Sequence, residues 1–83
     1  MEPFEREIAL AAINVGRDDN WPRLLSTVAL QTNKTPDEIR AVLDRLHDNL
    51  ILKRCTTNAR NVDVDPVYRG ATQIWYEKGE LWD

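Results

Sequence analysis

Few side chains in this sequence have the chemistry that catalysis or redox sensing requires. His47, the single histidine, follows Asp44 by three residues, a spacing that could make a pH-sensitive pair on a helix. Cys55, the single cysteine, would form a thiolate if its basic neighbours Lys53 and Arg54 lowered its pKa. We favour simpler interpretations, a surface or boundary histidine and a half-buried small residue, because no partner nucleophile accompanies either side chain.

The segment Asn61-x-Asp63-x-Asp65 has the spacing of the first three ligands of a calcium loop. Such a loop needs glycine at its next position and a closing glutamate, whereas this sequence has Pro66 and Thr72. We therefore interpret the segment as residues that favour turns. No nucleophile with its base, no glycine-rich phosphate loop and no metal cluster can be assembled, so the sequence predicts no enzyme, no metal and no cofactor.

The composition is that of a small globular chain with a modest negative charge. Hydrophobic residues make up 42% of the sequence, charged residues make up 30%, and the formal net charge is -3. The single cysteine excludes an internal disulfide, and the first residues lack the basic charge of an export signal, so we expect a cytoplasmic location. The longest apolar run, residues 8–13, is too short to span a bilayer. No linker or repeat divides the chain, which predicts a single domain over residues 1–83.

Two amphipathic helices are predicted in the first part of the chain. The first runs from about Pro3 to Val15, begins with a proline in a tolerated position and stops at Gly16. The second covers roughly Pro22 to Thr32 and ends at Asn33, a residue type that tolerates the left-handed conformation of a helix C-cap.

A third helix has the strongest start signal in the sequence. Thr35 is its expected N-cap, Pro36 takes the first helical position, and Glu38 completes a capping box. Asn49 is expected to close it. Five apolar residues recur at helical spacing and are predicted to face the core: Ile39, Val42, Leu43, Leu46 and Leu50.

A β-hairpin is predicted after the third helix. Leu50 to Thr57 loses the helical period, and Thr72 to Lys78 is rich in β-branched and aromatic residues, so we expect two antiparallel strands. The connection between them, Asn58 to Ala71, is long enough to suggest a functional or mobile loop.

The segment from Val28 to Arg54 resembles a pattern shared by many prokaryotic transcription regulators of the multiple-antibiotic-resistance and arsenic-repressor type. The matching positions are the pair Val28-Ala29, the cap Thr35, the leucines Leu43 and Leu46, and the strand start Asn49-Leu50-Ile51. The resemblance implies an α+β winged helix-turn-helix fold, with three helices followed by a two-stranded antiparallel β-hairpin wing. No specific family within that superfamily is assigned.

The same resemblance implies that the third helix enters the major groove of double-stranded DNA and that the wing contacts the backbone or the minor groove. The candidate base-facing residues are Lys34, Thr35, Asp37, Arg40, Ala41 and Arg45. The candidate wing residues are Lys53, Arg54, Arg60 and Arg69. The leading hypothesis is a small DNA-binding protein, a transcription regulator or accessory factor, which would need to dimerise or join a partner to gain specificity.

The charges of the third helix support a competing hypothesis. Its four acids, Asp37, Glu38, Asp44 and Asp48, outnumber its two arginines, which is atypical of a helix that reads DNA. The domain could instead be a protein-interaction module that binds a partner through Asp44 and Asp48 and through the aromatic residues Trp75 and Trp82. A further alternative is an inhibitor that presents its carboxylates like a DNA backbone.

These hypotheses predict different surfaces. DNA binding predicts a continuous positive surface that joins Arg40 and Arg45 to the wing. An interaction module predicts that acids interrupt this surface and that an aromatic patch is exposed.

Overall fold

The computed structural model describes residues 1–57 and 73–83, which form three helices followed by a two-stranded antiparallel sheet. The elements are α1 (Pro3–Val15), α2 (Trp21–Thr32), α3 (Pro36–Asp48), β1 (Leu52–Thr56) and β2 (Ile74–Lys78). This α+β order agrees with the order expected from the sequence. Arg60, Arg69 and the segment Asn61 to Asp65 lie outside the described residues.

The helix ends follow the local signals of the sequence. The Thr35 hydroxyl accepts a hydrogen bond from the Glu38 amide at 3.2 Å, and the Glu38 carboxylate accepts one from the Thr35 amide at 2.9 Å, so the predicted capping box is confirmed. Asn33 ends α2 in the left-handed conformation, with φ 58 and ψ 43, as expected. Gly16 ends α1 with φ 75, a value that glycine adopts without strain.

The core consists of apolar side chains from all five elements. Its members are Ile8, Ala9, Ala12, Trp21, Leu24, Leu25, Val28, Ala29, Ile39, Val42, Leu43, Leu46, Leu52, Ile74 and Tyr76. α1 packs against α2, α3 and β2, and α3 also packs against α2 and β1. Full burial of a leucine or isoleucine contributes about 1.5–3 kcal/mol, so this core dominates the stability of the domain.

The two strands pair with Leu52 opposite Lys78, Arg54 opposite Tyr76 and Thr56 opposite Ile74. The connection between α1 and α2 adds a short bridge to the sheet, because the backbone groups of Asp18 and Ile74 exchange hydrogen bonds of 3.0 and 2.8 Å. The antiparallel hairpin is therefore tied to the helices through β2. Among the described residues, no helix is long and apolar enough to cross a membrane.

The C-terminal end of α3 differs from the expectation at Leu50. The Leu50 amide bonds to the His47 carbonyl at 3.1 Å, and the Ile51 amide bonds to the Leu46 carbonyl at 2.9 Å, which is the hydrogen-bond pattern of a Schellman motif. Leu50 takes the left-handed position of that motif, with φ 62, and is 52% exposed. The prediction that Leu50 faces the core is therefore wrong, because the helix ends at Asp48 and the chain turns before this side chain.

Candidate nucleic-acid interface

The outward face of α3 brings together the residues predicted to meet DNA bases. Lys34, Thr35, Asp37, Arg40, Ala41 and Arg45 are all exposed. Residues 37, 41 and 45 follow one another at helical spacing, so Ala41 lies in the middle of this face. The Thr35 hydroxyl is already used as the helix cap. The structure thus groups the candidates on one surface, which we call the α3 face.

Arg45 joins the α3 face to α1 through Glu5. The Arg45 Nε atom lies 3.1 Å from Glu5 Oε2, and the Glu5 side chain is only 11% exposed, whereas the Arg45 side chain is 52% exposed. Hydrogen bonds from the Glu2 amide and from Arg45 hold the pKa of Glu5 below its ordinary value, despite the opposing effect of burial. The positive charge of Arg45 is therefore partly neutralised by Glu5 within the molecule.

The sequence contained a signal for this role of Glu5. Glu5 precedes the core residues Ile8, Ala9 and Ala12 by three, four and seven positions, so it lies on the buried face of α1. A carboxylate at such a position needs a cationic partner, and Arg45 supplies it.

Arg40 lies on the other side of the α3 face, next to Asp44. Its Nε atom is 3.7 Å from Asp44 Oδ2, and its guanidinium carbon lies 4.9 Å from the centre of the Trp21 ring. The Arg40 side chain remains 50% exposed. It can therefore contact a bound molecule without leaving the aromatic ring.

Arg54, predicted to be a wing residue facing DNA, lies inside the domain and is 6% exposed. Its Nε donates to the Tyr76 hydroxyl at 3.0 Å, its Nη2 donates to Asp44, and its guanidinium carbon lies 5.0 Å from the centre of the Trp21 ring. The expectation of an exposed Arg54 is wrong because side chains alternate along a strand: Leu52 and Arg54 point inward, and Lys53 between them is exposed.

The buried end of this cluster is held together by Tyr76. Its hydroxyl accepts a second hydrogen bond from Trp21 Nε1 at 3.2 Å. Burial raises the pKa of Tyr76, and Arg54 and Trp21 oppose that effect. We call Asp44, Arg54, Tyr76 and Trp21 the Arg54 cluster. It links α3, β1, β2 and the start of α2.

The two C-terminal tryptophans are covered by cations. Arg17 lies over Trp75 at 4.1 Å from the ring centre, and Arg6 and Lys78 lie over Trp82 at 5.2 and 5.5 Å. Both rings are partly buried. Within residues 1–57 and 73–83, they therefore do not form the exposed aromatic patch expected of an interaction module.

The two acids predicted to bind a partner in the interaction module, Asp44 and Asp48, differ in their exposure and contacts. Asp48 is exposed, whereas Asp44 is paired with Arg54 and lies near Arg40. A carboxylate that Arg54 neutralises therefore lies between Arg40 and β1, where DNA binding predicted continuous positive charge. Lys53 is the exposed cation of β1, and it lies opposite Glu77.

Cys55 is a structural residue rather than a reactive one. It is 7% exposed, and its thiol donates to Glu77 Oε2 at 2.9 Å. Burial and the neighbouring Glu77 carboxylate raise the pKa of Cys55 to about 12. The thiolate required of a redox sensor is therefore not favoured.

Comparisons with protein-family models, curated proteins and solved structures gave no match to this chain. Its function must therefore be inferred from its own residues and geometry.

Proposed function

We propose that the protein is a small DNA-binding domain of the winged-helix type, in which α3 enters the major groove. The order of three helices and an antiparallel hairpin is compatible with that layout. The residues of the α3 face are exposed to solvent along the length of the helix, as a groove-binding helix requires.

The observation that carries the proposal is the pairing of Asp44 with Arg54. Asp44 lies on the α3 face, where an isolated carboxylate would repel phosphates. Arg54 approaches it from the core and stays positively charged, because arginine remains protonated in proteins. Burial lowers the pKa of Arg54, but Tyr76 and Asp44 together outweigh burial and raise it. Part of the negative charge that the sequence places on this helix is therefore neutralised from within.

Two cations and one acid lie around the small side chain at the centre of the α3 face. Lys34, Arg45 and Glu38, with Ala41, line a shallow cleft of about 250 Å³ between α3 and α1, and Arg40 is exposed elsewhere on the face. A small residue at this position lets a helix approach base edges, while arginine and lysine at its sides contact phosphates or guanine.

The remaining charges predict weak binding. Asp37 and Asp48 are exposed on α3, and the chain carries a net charge of -3. We expect non-specific binding of a monomer near the weak end of the usual range, with Kd about 10⁻⁴ M at physiological salt and tighter binding at low salt.

The proposal is tested by fluorescence anisotropy with a labelled random duplex, at about 50 and about 200 mM salt. The variant Lys34→Ala/Arg40→Ala removes two cations from the α3 face. The control, Arg6→Ala/Arg17→Ala, removes two cations that lie over Trp82 and Trp75. Arg54→Ala is unsuitable for this purpose because Arg54 is buried.

We expect wild-type binding that weakens with salt, and a slope of log K against log salt that is smaller by about 1.8 in the α3 variant. The control variant should keep a slope close to that of wild type. Absence of binding at low salt, or equal losses in the two variants, would exclude α3 as a DNA-binding helix.

A second candidate function is protein binding, and a specific observation favours it. Leu50 and Leu81 are exposed at 52% and 60%, and the Leu81 amide donates a hydrogen bond to the Leu50 carbonyl just after α3. These two side chains are apolar, unlike the acids and tryptophans that the sequence suggested. If the protein does not bind DNA in the test above, protein binding becomes the leading candidate.

A further inference from the structure

Leu50 has a conformation and an exposure that are both unfavourable for leucine. It occupies the left-handed position of the Schellman motif, with φ 62, where glycine is the usual residue. A bulky residue at positive φ is uncommon, and here its apolar side chain is also 52% exposed. Neither feature stabilises the monomer, and such outliers occur preferentially at functional sites.

Leu50 is held in this position by the segment that follows β2. The Leu81 amide donates to the Leu50 carbonyl at 2.9 Å, and the Gly79 amide donates to the Ile51 carbonyl at 2.9 Å. The Leu50 amide is bonded as well, to His47. Both leucines are therefore presented by a backbone that is fixed through hydrogen bonds, which limits the entropy lost when a partner binds.

A groove of about 460 Å³ lies at the base of the hairpin. Its lining includes Leu50 and, around it, the charged residues Lys53, Lys78 and Glu80. Asp48, at the last position of α3, is exposed two residues before Leu50. We call this set, with Leu81, the hairpin-base surface. It combines an apolar centre with charges of both signs.

We propose that the hairpin-base surface is a self-association site that binds a second copy of this chain. In a two-fold symmetric dimer, the same surface meets itself, so each apolar centre covers the other and each charge must find the opposite sign within the same set. Lys53 and Lys78 can meet Glu80 and Asp48 of the second copy in this arrangement. A partner whose surface carried charges of only one sign would place like charge against either the two lysines or the two acids.

This inference does not depend on DNA binding, because it uses none of the residues of the α3 face. The surface is small, so we expect a reversible dimer with Kd in the micromolar range or weaker.

Sedimentation velocity from about 10 µM to about 1 mM protein tests the inference. The test variants are Leu50→Gly and Leu81→Ser, and the control is Leu30→Ser, which removes a leucine that is 86% exposed on α2. We expect a mass that rises with concentration for wild type and the control, and a monomer for both test variants. Leu50→Gly should also melt no lower than wild type, because glycine adopts φ 62 without strain.

Charge reversal tests the role of complementary charges. Lys53→Glu and Glu80→Lys should each weaken the dimer by about tenfold, and the combination of the two should restore much of the loss. A monomer at every concentration would overturn the proposal. Self-association that Leu50→Gly and Leu81→Ser leave unchanged would also overturn it, since another surface would then be responsible.

Discussion

The guanidinium group of Arg54 lies between a carboxylate, a phenol hydroxyl and an indole ring, and little of it reaches solvent. A buried arginine is tolerated only when its donors are satisfied, and here Asp44 and Tyr76 provide the acceptors. Because Asp44 is also near Arg40, the cluster connects the core with the α3 face.

We predict that Asp44 and Arg54 are energetically coupled. Arg54→Met should lower the free energy of unfolding by about 1–2 kcal/mol, because its stem still packs while its polar contacts are lost. Asp44→Asn should cost more, about 2–3 kcal/mol, because the buried guanidinium keeps its charge without a counter-ion. Urea denaturation of both single variants and the double variant measures the coupling.

The loss in the double variant should be smaller than the sum of the single losses by at least about 1 kcal/mol. Additive losses would show that the two side chains contribute independently. As a control, Asp48→Asn changes an exposed acid on the same helix and should alter stability by less than about 0.5 kcal/mol.

Individual residues also show what the sequence could and could not predict. The inward position of Arg54 was available from strand alternation, because Leu52 and Arg54 share a face. The basic character of the Lys53-Arg54 pair instead suggested two exposed residues. The partner of Arg54 was not available in this way, since Asp44 and Tyr76 come from other elements and only the packed fold brings them together.

At the scale of elements, local chemistry predicted the helices better than their connections. Helix α1 has the predicted bounds, and the capping box placed the start of α3, because such signals involve residues only a few positions apart. Asn49 closes α3 as predicted, but the orientation of Leu50 was missed, because the Schellman turn that follows the helix reverses the chain at this residue. The resulting turn puts leucine where the sequence pattern favours glycine.

Gly79 is the glycine that this contact requires. A Cβ atom at position 79 would lie 2.3 Å from the Leu50 carbonyl oxygen and 2.9 Å from two backbone carbons of residues 50 and 51. We predict that Gly79→Ala lowers the free energy of unfolding by about 1–3 kcal/mol, because the backbone must move and the hydrogen bond to Ile51 is strained. Thermal and urea denaturation measure the loss.

Glu80→Ala is the matched control, since Glu80 is exposed and adjacent to Gly79. It should change stability by less than about 0.5 kcal/mol. A Gly79→Ala variant as stable as wild type would mean that the backbone at residue 79 can move away from residues 50 and 51 without a loss of stability. The rigid presentation of Leu50 and Leu81 would then lose its structural basis.

For the whole molecule, the distribution of charge matters more than the total. Many of the described cations already have an internal contact: Arg23 with Asp18, Arg45 with Glu5, Arg54 with Asp44, and Arg6, Arg17 and Lys78 with aromatic rings. The contacts of Arg45, Arg6 and Arg17 join segments that are distant in sequence, so these basic residues stabilise the fold and their charges are only partly available to a bound molecule. The count of basic residues could not reveal this division.

The same ion pairs make stability depend on pH. The pKa of Glu5 is lowered by hydrogen bonds from the Glu2 amide and Arg45, and that of Asp18 is lowered chiefly by Arg23. Folding therefore favours the ionised carboxylates. Their contribution is complete above the ordinary pKa of each group and is lost as pH falls through the lower, folded-state value.

We predict that Glu5→Gln reduces this acid sensitivity. Urea denaturation between about pH 7 and about pH 2.5 should show wild-type stability falling as Glu5 is protonated, with a shallower fall in the variant. At neutral pH the variant should be less stable by about 0.5–1.5 kcal/mol, because Arg45 loses its charged acceptor.

Glu7→Gln, an exposed position on the same helix, should follow the wild-type curve. Parallel curves for wild type and Glu5→Gln would show that the Glu5 and Arg45 pair does not hold α1 to α3, and Arg45 would then be free for the α3 face.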